Sequence, residues 1–228
     1  MRPVDKGNAP KTYTDHGQAR HDLAKVVGYY CSYCEMPTWN MIEVEHIIPR
    51  KNGGAPLSWS NFLLSCKYCN TVKSNRNANR TGYLWPDIDN TDLAFEYSQA
   101  NVIQAKSNLP ANIQSLANST IDLMGLDRIP GGVNEPTEAD TRWISRQVAW
   151  NQASDALNRW NQAKIQVMAE QIASNAKSTG HYSIWIEVFK NEAMVITEID
   201  NQYKQIALYK QLNRQGNRII RYGGANLR

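Results

Sequence analysis

The four cysteines of this chain have the clearest chemical spacing in its sequence. They form two Cys-x-x-Cys pairs, Cys31 with Cys34 and Cys66 with Cys69. Two thiolates from each of two tight turns are the usual donor set of a tetrahedral zinc site. The double spacing favours zinc over the alternative of buried, reduced thiols that bind no metal. Because four sulfur ligands leave no open position for water, the predicted zinc is structural.

Four side chains between and beside the cysteine pairs predict catalysis: Glu45, His46, Asn61 and Asn70. Phosphodiester hydrolysis needs a group that takes a proton from water and positive charge near the leaving oxygen. His46 is the candidate base, because imidazole exchanges its proton near neutral pH. Glu45 and Asn70 offer oxygen ligands that suit Mg²⁺ or Mn²⁺, with Glu43 as a reserve ligand or a hydrogen-bonding residue. We predict a metal-dependent nuclease. The alternative is a non-catalytic, zinc-stabilised nucleic-acid-binding module in which His46 is structural.

Four basic residues near these positions are candidate substrate contacts: Arg50, Lys51, Lys73 and Arg76. Each could neutralise a phosphate of the substrate or be an exposed charge without a function, and the sequence leaves both interpretations open. The remaining histidines (His16, His21 and His181) have no chemically matching neighbours in the sequence. We interpret these three as surface or packing residues.

Charge is distributed unevenly along the chain. Residues 1–80 contain 11 Lys and Arg against 6 Asp and Glu, residues 81–200 contain 8 against 15, and residues 201–228 contain 6 against none. A basic cysteine-containing segment suits a polyanionic partner, so we predict nucleic-acid binding, with DNA favoured and RNA possible. No apolar run is long enough to span a membrane, and no signal-peptide pattern follows Met1, so we expect a cytoplasmic protein.

The hydrophobic pattern predicts a mainly α-helical α+β protein in four segments. Residues 1–28 read as an extended arm followed by a short helix over 15–28. Residues 29–80 form the cysteine module, with a strand in the alternating stretch 40–48 that ends near His46, a loop, and a helix that begins near Asn70.

The rest of the chain is predicted to be helical. Residues 81–132 are a connector with helical stretches at about 91–106 and 111–124. Residues 133–228 are a helical C-terminal region that starts with one helix running to about Lys177 and ends in a basic tail. Trp143, Trp150 and Leu157 recur every seven residues on that helix, which favours a packed face over a binding surface.

The order Cys-x-x-Cys, Glu-His-Ile-x-Pro, Asn, Cys-x-x-Cys-Asn-x-x-Lys resembles the HNH endonucleases, whose active site is a ββα-metal fold. The resemblance implies that His46 is the general base and that Asn61 orients the loop behind it. It also implies that Asn70 and Glu45 bind the catalytic divalent metal. Two positions depart from the commoner pattern, since Glu45 replaces an aspartate and Asn70 replaces a histidine.

A narrower resemblance rests on Met-Arg-Pro-Val-x-Lys at the start, on residues 30–35, and on Trp59-x-Asn61. These phrases, with a less specific one at 216–224, are similar to the HNH subunit of Septu-type and retron-associated anti-phage defence systems. The resemblance implies an ABC/SMC-like ATPase partner that docks on the C-terminal helical region and licenses cleavage. A further alternative is an adaptor whose HNH module is degenerate.

Overall fold

The computed structural model describes residues 1–203, so the predicted basic tail and the phrase at 216–224 lie outside the described residues. The described part is mainly helical with two small antiparallel sheets, as predicted. Its helices are α1 (Ala19–Val27), α2 (Lys67–Lys73), α3 (Ala111–Met124), α4 (Arg142–Trp160), α5 (Gln166–Thr179), α6 (Tyr182–Val188) and α7 (Ala193–Gln202). Its strands are β1 (Glu43–His46), β2 (Phe62–Ser65), β3 (Phe95–Tyr97) and β4 (Ile103–Ala105).

The cysteine module is a β-hairpin followed by a short helix. Strands β1 and β2 pair antiparallel, with Glu43 opposite Ser65 and His46 opposite Phe62. Helix α2 follows β2 directly, and the Cys66 sulfur accepts a hydrogen bond from the Cys69 amide at its first turn. Because side chains alternate along a strand, β1 presents its two glutamates to one face and Val44 and His46 to the other.

The N-terminal residues are part of the core, although the sequence predicted an extended arm there. The side chains of Met1 and Val4 are buried. Lys6 is buried as well, and its ammonium group donates to the carbonyl oxygens of Trp59, Ser60 and Phe62 at 2.8 to 3.2 Å. The segment shows no periodic apolar pattern, because its buried residues include the charged Lys6, whose hydrogen bonds go to carbonyl groups far away in the chain. That arrangement leaves no periodic signal in the sequence.

The connector at 81–132 was predicted to contain two helices, and the structure has only the second of them. Helix α3 spans Ala111–Met124, and this confirms the expectation for 111–124. The helix predicted over about 91–106 is wrong, because this stretch forms the β3–β4 hairpin. Phe95 and Tyr97 are buried while Glu96 between them is half-buried, which is the alternation of a strand. Asn101 turns the chain with a φ of +62°.

The single helix predicted to run from the Asn134 region to about Lys177 is wrong, because two helices occupy this range. Helix α4 begins only at Arg142, and residues 161–165 separate it from α5. Gly180 ends α5, and a Cβ there would lie 2.7 Å from the carbonyl oxygen of Glu35. Glycine is therefore required for this close approach to the cysteine module.

One buried face of α4 joins the two hydrophobic cores. Its buried residues recur at helical spacing: Arg142, Arg146, Ala149, Ala153, Ala156 and Trp160. The first core contains side chains from the N-terminus, the cysteine module, the connector and Ala149. The second lies among α4, α5, α6 and α7. Trp143 and Trp150 are half-buried beside this face, in agreement with a packing role. Within residues 1–203, none of the helices has both the length and the apolarity that crossing a bilayer requires.

Candidate functional site: a cysteine cluster beside a histidine-bearing hairpin

The four cysteine sulfurs converge on one buried point. All four Sγ atoms lie within 4.8 Å of one another, and the Cys34 and Cys66 sulfurs are 3.7 Å apart. Sulfurs around a tetrahedral zinc, with bonds of about 2.3 Å, are separated by about 3.8 Å. The cysteine geometry therefore fits a zinc ion with four thiolate ligands. Among residues 1–203 this is the one cluster of three or more His, Cys, Asp or Glu side chains close enough to hold a metal.

A buried arginine from the helical region faces this cluster. Arg142 Nη1 lies 3.1 Å from the Cys69 sulfur, and it also donates to the carbonyl oxygen of Met124 at 2.8 Å. The Asp140 carboxylate accepts from the same guanidinium, with a shortest distance of 2.7 Å. Zinc with four thiolates carries a net charge of −2, which the guanidinium partly offsets. Sequence reasoning missed Arg142, because 73 positions separate it from Cys69.

His46 lies at the end of β1 with its ring only partly buried. Its Nε2 atom is 2.9 Å from the carbonyl oxygen of Pro56. A carbonyl oxygen only accepts hydrogen bonds, so Nε2 carries the proton of the neutral ring and Nδ1 has the free lone pair. The ring packs edge-on against Phe62 at a centroid distance of 5.2 Å. These contacts fix the neutral ring in the tautomer that has its proton on Nε2.

The electrostatic surroundings keep His46 neutral. Partial burial lowers the pKa of His46, and the nearby charges of His16, Arg50 and Lys73 lower it further. The hydrogen bond to Pro56 opposes these effects and does not cancel them. A lowered pKa means that more of the imidazole is unprotonated at neutral pH, so the ring can accept a proton.

Asn61 closes the loop that follows His46. Its Oδ1 accepts from the Ile48 amide at 2.8 Å, and its Nδ2 donates to the carbonyl oxygens of Ile48 and Ala55 at 3.0 and 3.1 Å. A Cβ on Gly54 would lie 1.8 Å from the Ile48 carbonyl oxygen, so this position tolerates only glycine. Asn61 thus bonds to the backbone at both Ile48 and Ala55, and its role in catalysis stays a prediction.

Glu45 and Lys73 form a buried ion pair beneath the backbone of His46. Lys73 Nζ lies 2.5 Å from Glu45 Oε1 and donates to the His46 carbonyl oxygen at 2.9 Å. Tyr33 donates to the other oxygen of Glu45 at 2.6 Å. Burial raises the pKa of Glu45 despite the neighbouring ammonium group. The sequence left two interpretations of Lys73 open, a phosphate contact at the surface and an exposed charge without a function. Its side chain is only 1% exposed, and this burial corrects both interpretations.

Asn70 contacts Glu43 rather than Glu45. Its Nδ2 donates to Glu43 Oε2 at 2.7 Å, and both residues are half-buried. The two glutamates point to the same face of β1, where Glu43 meets Asn70 and Glu45 meets Lys73 one helical turn later. The structure therefore places the Asn70 amide beside Glu43, which the sequence predicted only as a reserve ligand of the metal.

The remaining basic candidates separate into two groups. Arg76 donates to the Asp122 carboxylate at 2.6 Å and to the carbonyl oxygens of Asp122 and Leu123, so its guanidinium joins α2 to the end of α3. Arg50 and Lys51 are exposed in the loop that follows His46. Their predicted role as phosphate contacts stays a prediction.

The structure also brings His16 to this site. Its ring centroid lies 5.1 Å from that of His46, with the ring planes tilted by 49°. His16 follows Asp15, whose carboxylate accepts from the Gly17 amide and whose Oδ2 lies 3.7 Å from His16 Nδ1. The sequence contains no signal for this pair, because only the packing of the segment before α1 against β1 creates it.

Comparison with known protein families agrees with this geometry. Residues 31–76 match the family model described as HNH endonuclease. The matched segment contains both cysteine pairs, the β1–β2 hairpin, the loop that Asn61 closes, and α2. No curated protein matches the chain. The comparison supports an HNH domain and nuclease activity for this segment, and it does not confirm the narrower resemblance to Septu-type subunits.

Proposed function

We propose that this protein is a metal-dependent HNH endonuclease that hydrolyses phosphodiester bonds of nucleic acid, with DNA as the favoured substrate. The observation that carries the proposal is the 2.9 Å hydrogen bond between His46 Nε2 and the carbonyl oxygen of Pro56. It leaves Nδ1 of a partly exposed imidazole as an acceptor, in the segment that matches the HNH family model.

In the proposed reaction, His46 Nδ1 takes a proton from water while the water oxygen bonds to phosphorus. The bond from phosphorus to one bridging oxygen then breaks. Lys73 donates a hydrogen bond to the His46 carbonyl oxygen, and Asn61 accepts one from the Ile48 amide in the loop that follows His46. These contacts keep the base in one orientation relative to the substrate.

Glu43 and Asn70 are the proposed oxygen ligands of a catalytic Mg²⁺ or Mn²⁺. The Asn70 amide nitrogen donates to Glu43, which leaves Asn70 Oδ1 outside that hydrogen bond. Carboxylate and amide oxygens are the donors that these ions prefer. When bound, the ion supplies positive charge to the phosphate. Glu45 fits less well, because Lys73 and Tyr33 engage both of its oxygens.

Titration with Mn²⁺ in a calorimeter distinguishes the two glutamates. Glu43→Gln should weaken Mn²⁺ binding with little effect on folding, since Glu43 is only half-buried. Glu45→Gln should instead lower the stability of the domain, because it leaves the Lys73 ammonium group buried without its partner carboxylate. Normal Mn²⁺ affinity in Glu43→Gln would remove Glu43 from the proposed site.

We also propose that the nuclease acts as the effector subunit of an anti-phage defence complex with an ATPase. This proposal is supported by the resemblance of the N-terminal residues and of residues 30–35. Met1, Val4 and Lys6 of that segment lie in the core, so the resemblance concerns a shared fold rather than a shared docking surface. Co-purification with an ABC/SMC-like ATPase from the same genome is the test, and failure to co-purify would refute the partnership.

The C-terminal helical region is the proposed docking site for this ATPase. Ile144 and Val148 lie one turn apart on α4, and their exposed fractions are 41% and 47%. Ile144→Asp with Val148→Asp should abolish co-purification, whereas Arg159→Gln on the same helix should leave it intact. Co-purification of the double variant with the ATPase would show that the interface lies elsewhere on the protein.

The nuclease proposal is tested with purified protein, plasmid DNA and tRNA, with and without Mg²⁺. His46→Gln should abolish cleavage while zinc content and thermal unfolding stay unchanged. His21→Gln is the matched control, because His21 is an exposed histidine on α1 that does not belong to the site. Cleavage by His46→Gln at the rate of the unaltered protein would refute the base assignment. Binding without cleavage under every condition would favour the non-catalytic module, and cleavage of tRNA alone would change the substrate to RNA.

A further inference from the structure

Two histidines face each other at the surface of the HNH domain, and only one has a role in the reaction described above. The rings of His16 and His46 are 5.1 Å apart between centroids. The His46 ring is partly exposed, and the side chain of His16 is 35% exposed. Their exposure leaves both rings open to a substrate phosphate and to solvent.

The segment that carries His16 is well positioned against β1. Asp15 caps the helical turn His16–Gln18 by accepting from the Gly17 amide at 2.8 Å. Ala19 and Leu23 of α1, which follows directly, are fully buried in the first core. The backbone of His16 is therefore held by a cap on one side and a buried helix on the other. A side chain fixed in this way can contribute to positioning or to proton transfer.

Hydrolysis of a phosphodiester needs two proton transfers, and His46 supplies only one. A sugar alkoxide is a poor leaving group, so a proton delivered to the departing oxygen as its bond to phosphorus breaks speeds the reaction, in addition to the positive charge of a metal ion. Lys73 and Arg76 are unsuited to this task, because the first is buried against Glu45 and the second is bonded to Asp122. His16 is the nearby side chain whose chemistry allows it to hold and release a proton near neutral pH.

We propose that His16 is the general acid that protonates the leaving oxygen of the phosphodiester. This inference rests on the proposed nuclease function. The water oxygen bonds to phosphorus and its proton moves to His46 Nδ1, while the protonated His16 ring gives a proton to the bridging oxygen as that bond breaks. The products are a phosphomonoester and a sugar hydroxyl. Both rings then exchange protons with solvent, which restores the starting state.

Asp15 is the charged neighbour that suits this role. Its Oδ2 lies 3.7 Å from His16 Nδ1. The charged groups near His46 include Arg50 and Lys73, and both lower the pKa of its ring. A carboxylate therefore lies beside His16, whereas cationic side chains lie near His46, and this difference in charged neighbours distinguishes the two rings.

The experiment compares two oligonucleotides of the same sequence. One has the natural bridging oxygen. In the other, sulfur replaces the bridging oxygen that leaves. The cleavage products of the unaltered protein show which of the two bridging oxygens this is. A thiol gives up its proton near pH 8.5, so a thiolate leaves without protonation. His16→Gln should slow cleavage of the oxygen substrate by about 10²-fold or more and leave cleavage of the sulfur substrate nearly unchanged.

His46→Gln should slow both substrates, because both need the attacking water to lose a proton. His21→Gln should slow neither. Zinc content and thermal unfolding of His16→Gln are measured alongside, so a folding defect is recognised directly.

Equal slowing of both substrates by His16→Gln would overturn the proposal, because it would assign His16 to binding or positioning. Cleavage of the oxygen substrate at the normal rate would also overturn it, and the nuclease function would stand. Failure of the unaltered protein to cleave any nucleic acid would instead refute the proposed function itself.

Discussion

Arg142 Nη1 lies 3.1 Å from the sulfur of Cys69, so the first residue of α4 contacts the cysteine cluster of the HNH domain. The neighbouring residue Asn70 is a proposed ligand of the catalytic metal. The helical region thus touches the cysteine cluster at Cys69, next in the chain to a proposed ligand of the catalytic metal. In this protein the HNH domain is not an isolated module, because part of the charge around its cysteines comes from a helix outside the matched segment.

Replacement of Arg142 should weaken zinc binding by the four cysteines. Arg142→Gln removes the cation beside the thiolates, and loss of such a supporting contact typically weakens metal binding by about 10- to 100-fold. Chelator-driven zinc release, followed with a colorimetric indicator, measures the effect. Arg159→Gln is the control, because Arg159 is an exposed arginine near the end of the same helix. Zinc release at the normal rate from Arg142→Gln would show that the guanidinium does not support the metal.

Removal of Lys73 should unfold the domain rather than only weaken substrate binding. Lys73→Ala leaves the Glu45 carboxylate buried without its partner, a change that costs about 3 to 5 kcal/mol in comparable buried pairs. Urea denaturation measures the loss, and Lys67→Ala at the exposed start of α2 should have little effect. If Lys73→Ala keeps normal stability and only binds DNA more weakly, the buried pair is not the main role of this lysine.

Cleavage should depend on pH through His46. The base must be neutral, so the acid limb of the pH profile should rise as His46 loses its proton. Because burial lowers the pKa of His46, the midpoint of this rise should fall below the ordinary value of about 6.5. A profile of kcat/KM against pH measures it at a fixed metal concentration. A midpoint clearly above 7 would contradict the environment described for this ring.

The folded protein should lose stability in acid partly through His181. Burial lowers the pKa of His181 to about 4, and its Nε2 lies 2.7 Å from Ser145 Oγ. The unfolded chain takes up this proton at about pH 6.5, whereas the folded chain resists it until about pH 4. Stability is therefore complete above pH 6.5 and declines as the pH falls between these values, by up to about 3 kcal/mol from this group.

Urea denaturation at pH 7.5 and pH 5 measures this decline. His181→Gln, which keeps a polar group near Ser145, should show a smaller loss of stability between the two pH values. An identical loss in the variant would assign the acid sensitivity to other groups.

The exposed cations of the loop after His46 should contribute to affinity through electrostatics. If Lys51 contacts a phosphate, Lys51→Ala should weaken binding similarly for all DNA sequences and reduce the slope of log K against log salt by about one. Fluorescence anisotropy with a catalytically inactive His46→Gln background measures the slope. An unchanged slope would place Lys51 outside the interface.

Local chemical patterns could be predicted from the sequence alone. The spacing of Cys31, Cys34, Cys66 and Cys69 predicted a metal cluster, and the four sulfurs converge. The hydrophobic period of 111–124 predicted α3 within its observed bounds. Both signals are local, because a tight turn sets the spacing of two thiolates and a helical period appears within a few turns.

Other local signals were outweighed by the surroundings. The stretch 91–106 read as a helix, yet it forms β3 and β4, since the burial of Phe95 and Tyr97 favours strand alternation. The sequence also predicted a single helix up to about Lys177, where the chain turns back between α4 and α5. Short strands depend on their partners more than on intrinsic preference, so their own sequence is a weak guide.

The sequence by itself determined which chemistry the chain has available: four thiolates, a histidine, and amide and carboxylate groups at the spacing of the HNH pattern. Only the tertiary structure decided how these groups pair. It placed Lys73 with Glu45, Asn70 with Glu43, Arg142 with Cys69, and His16 with His46. Burial and distance depend on segments that are far apart in the chain, and residue types and local spacing do not specify them.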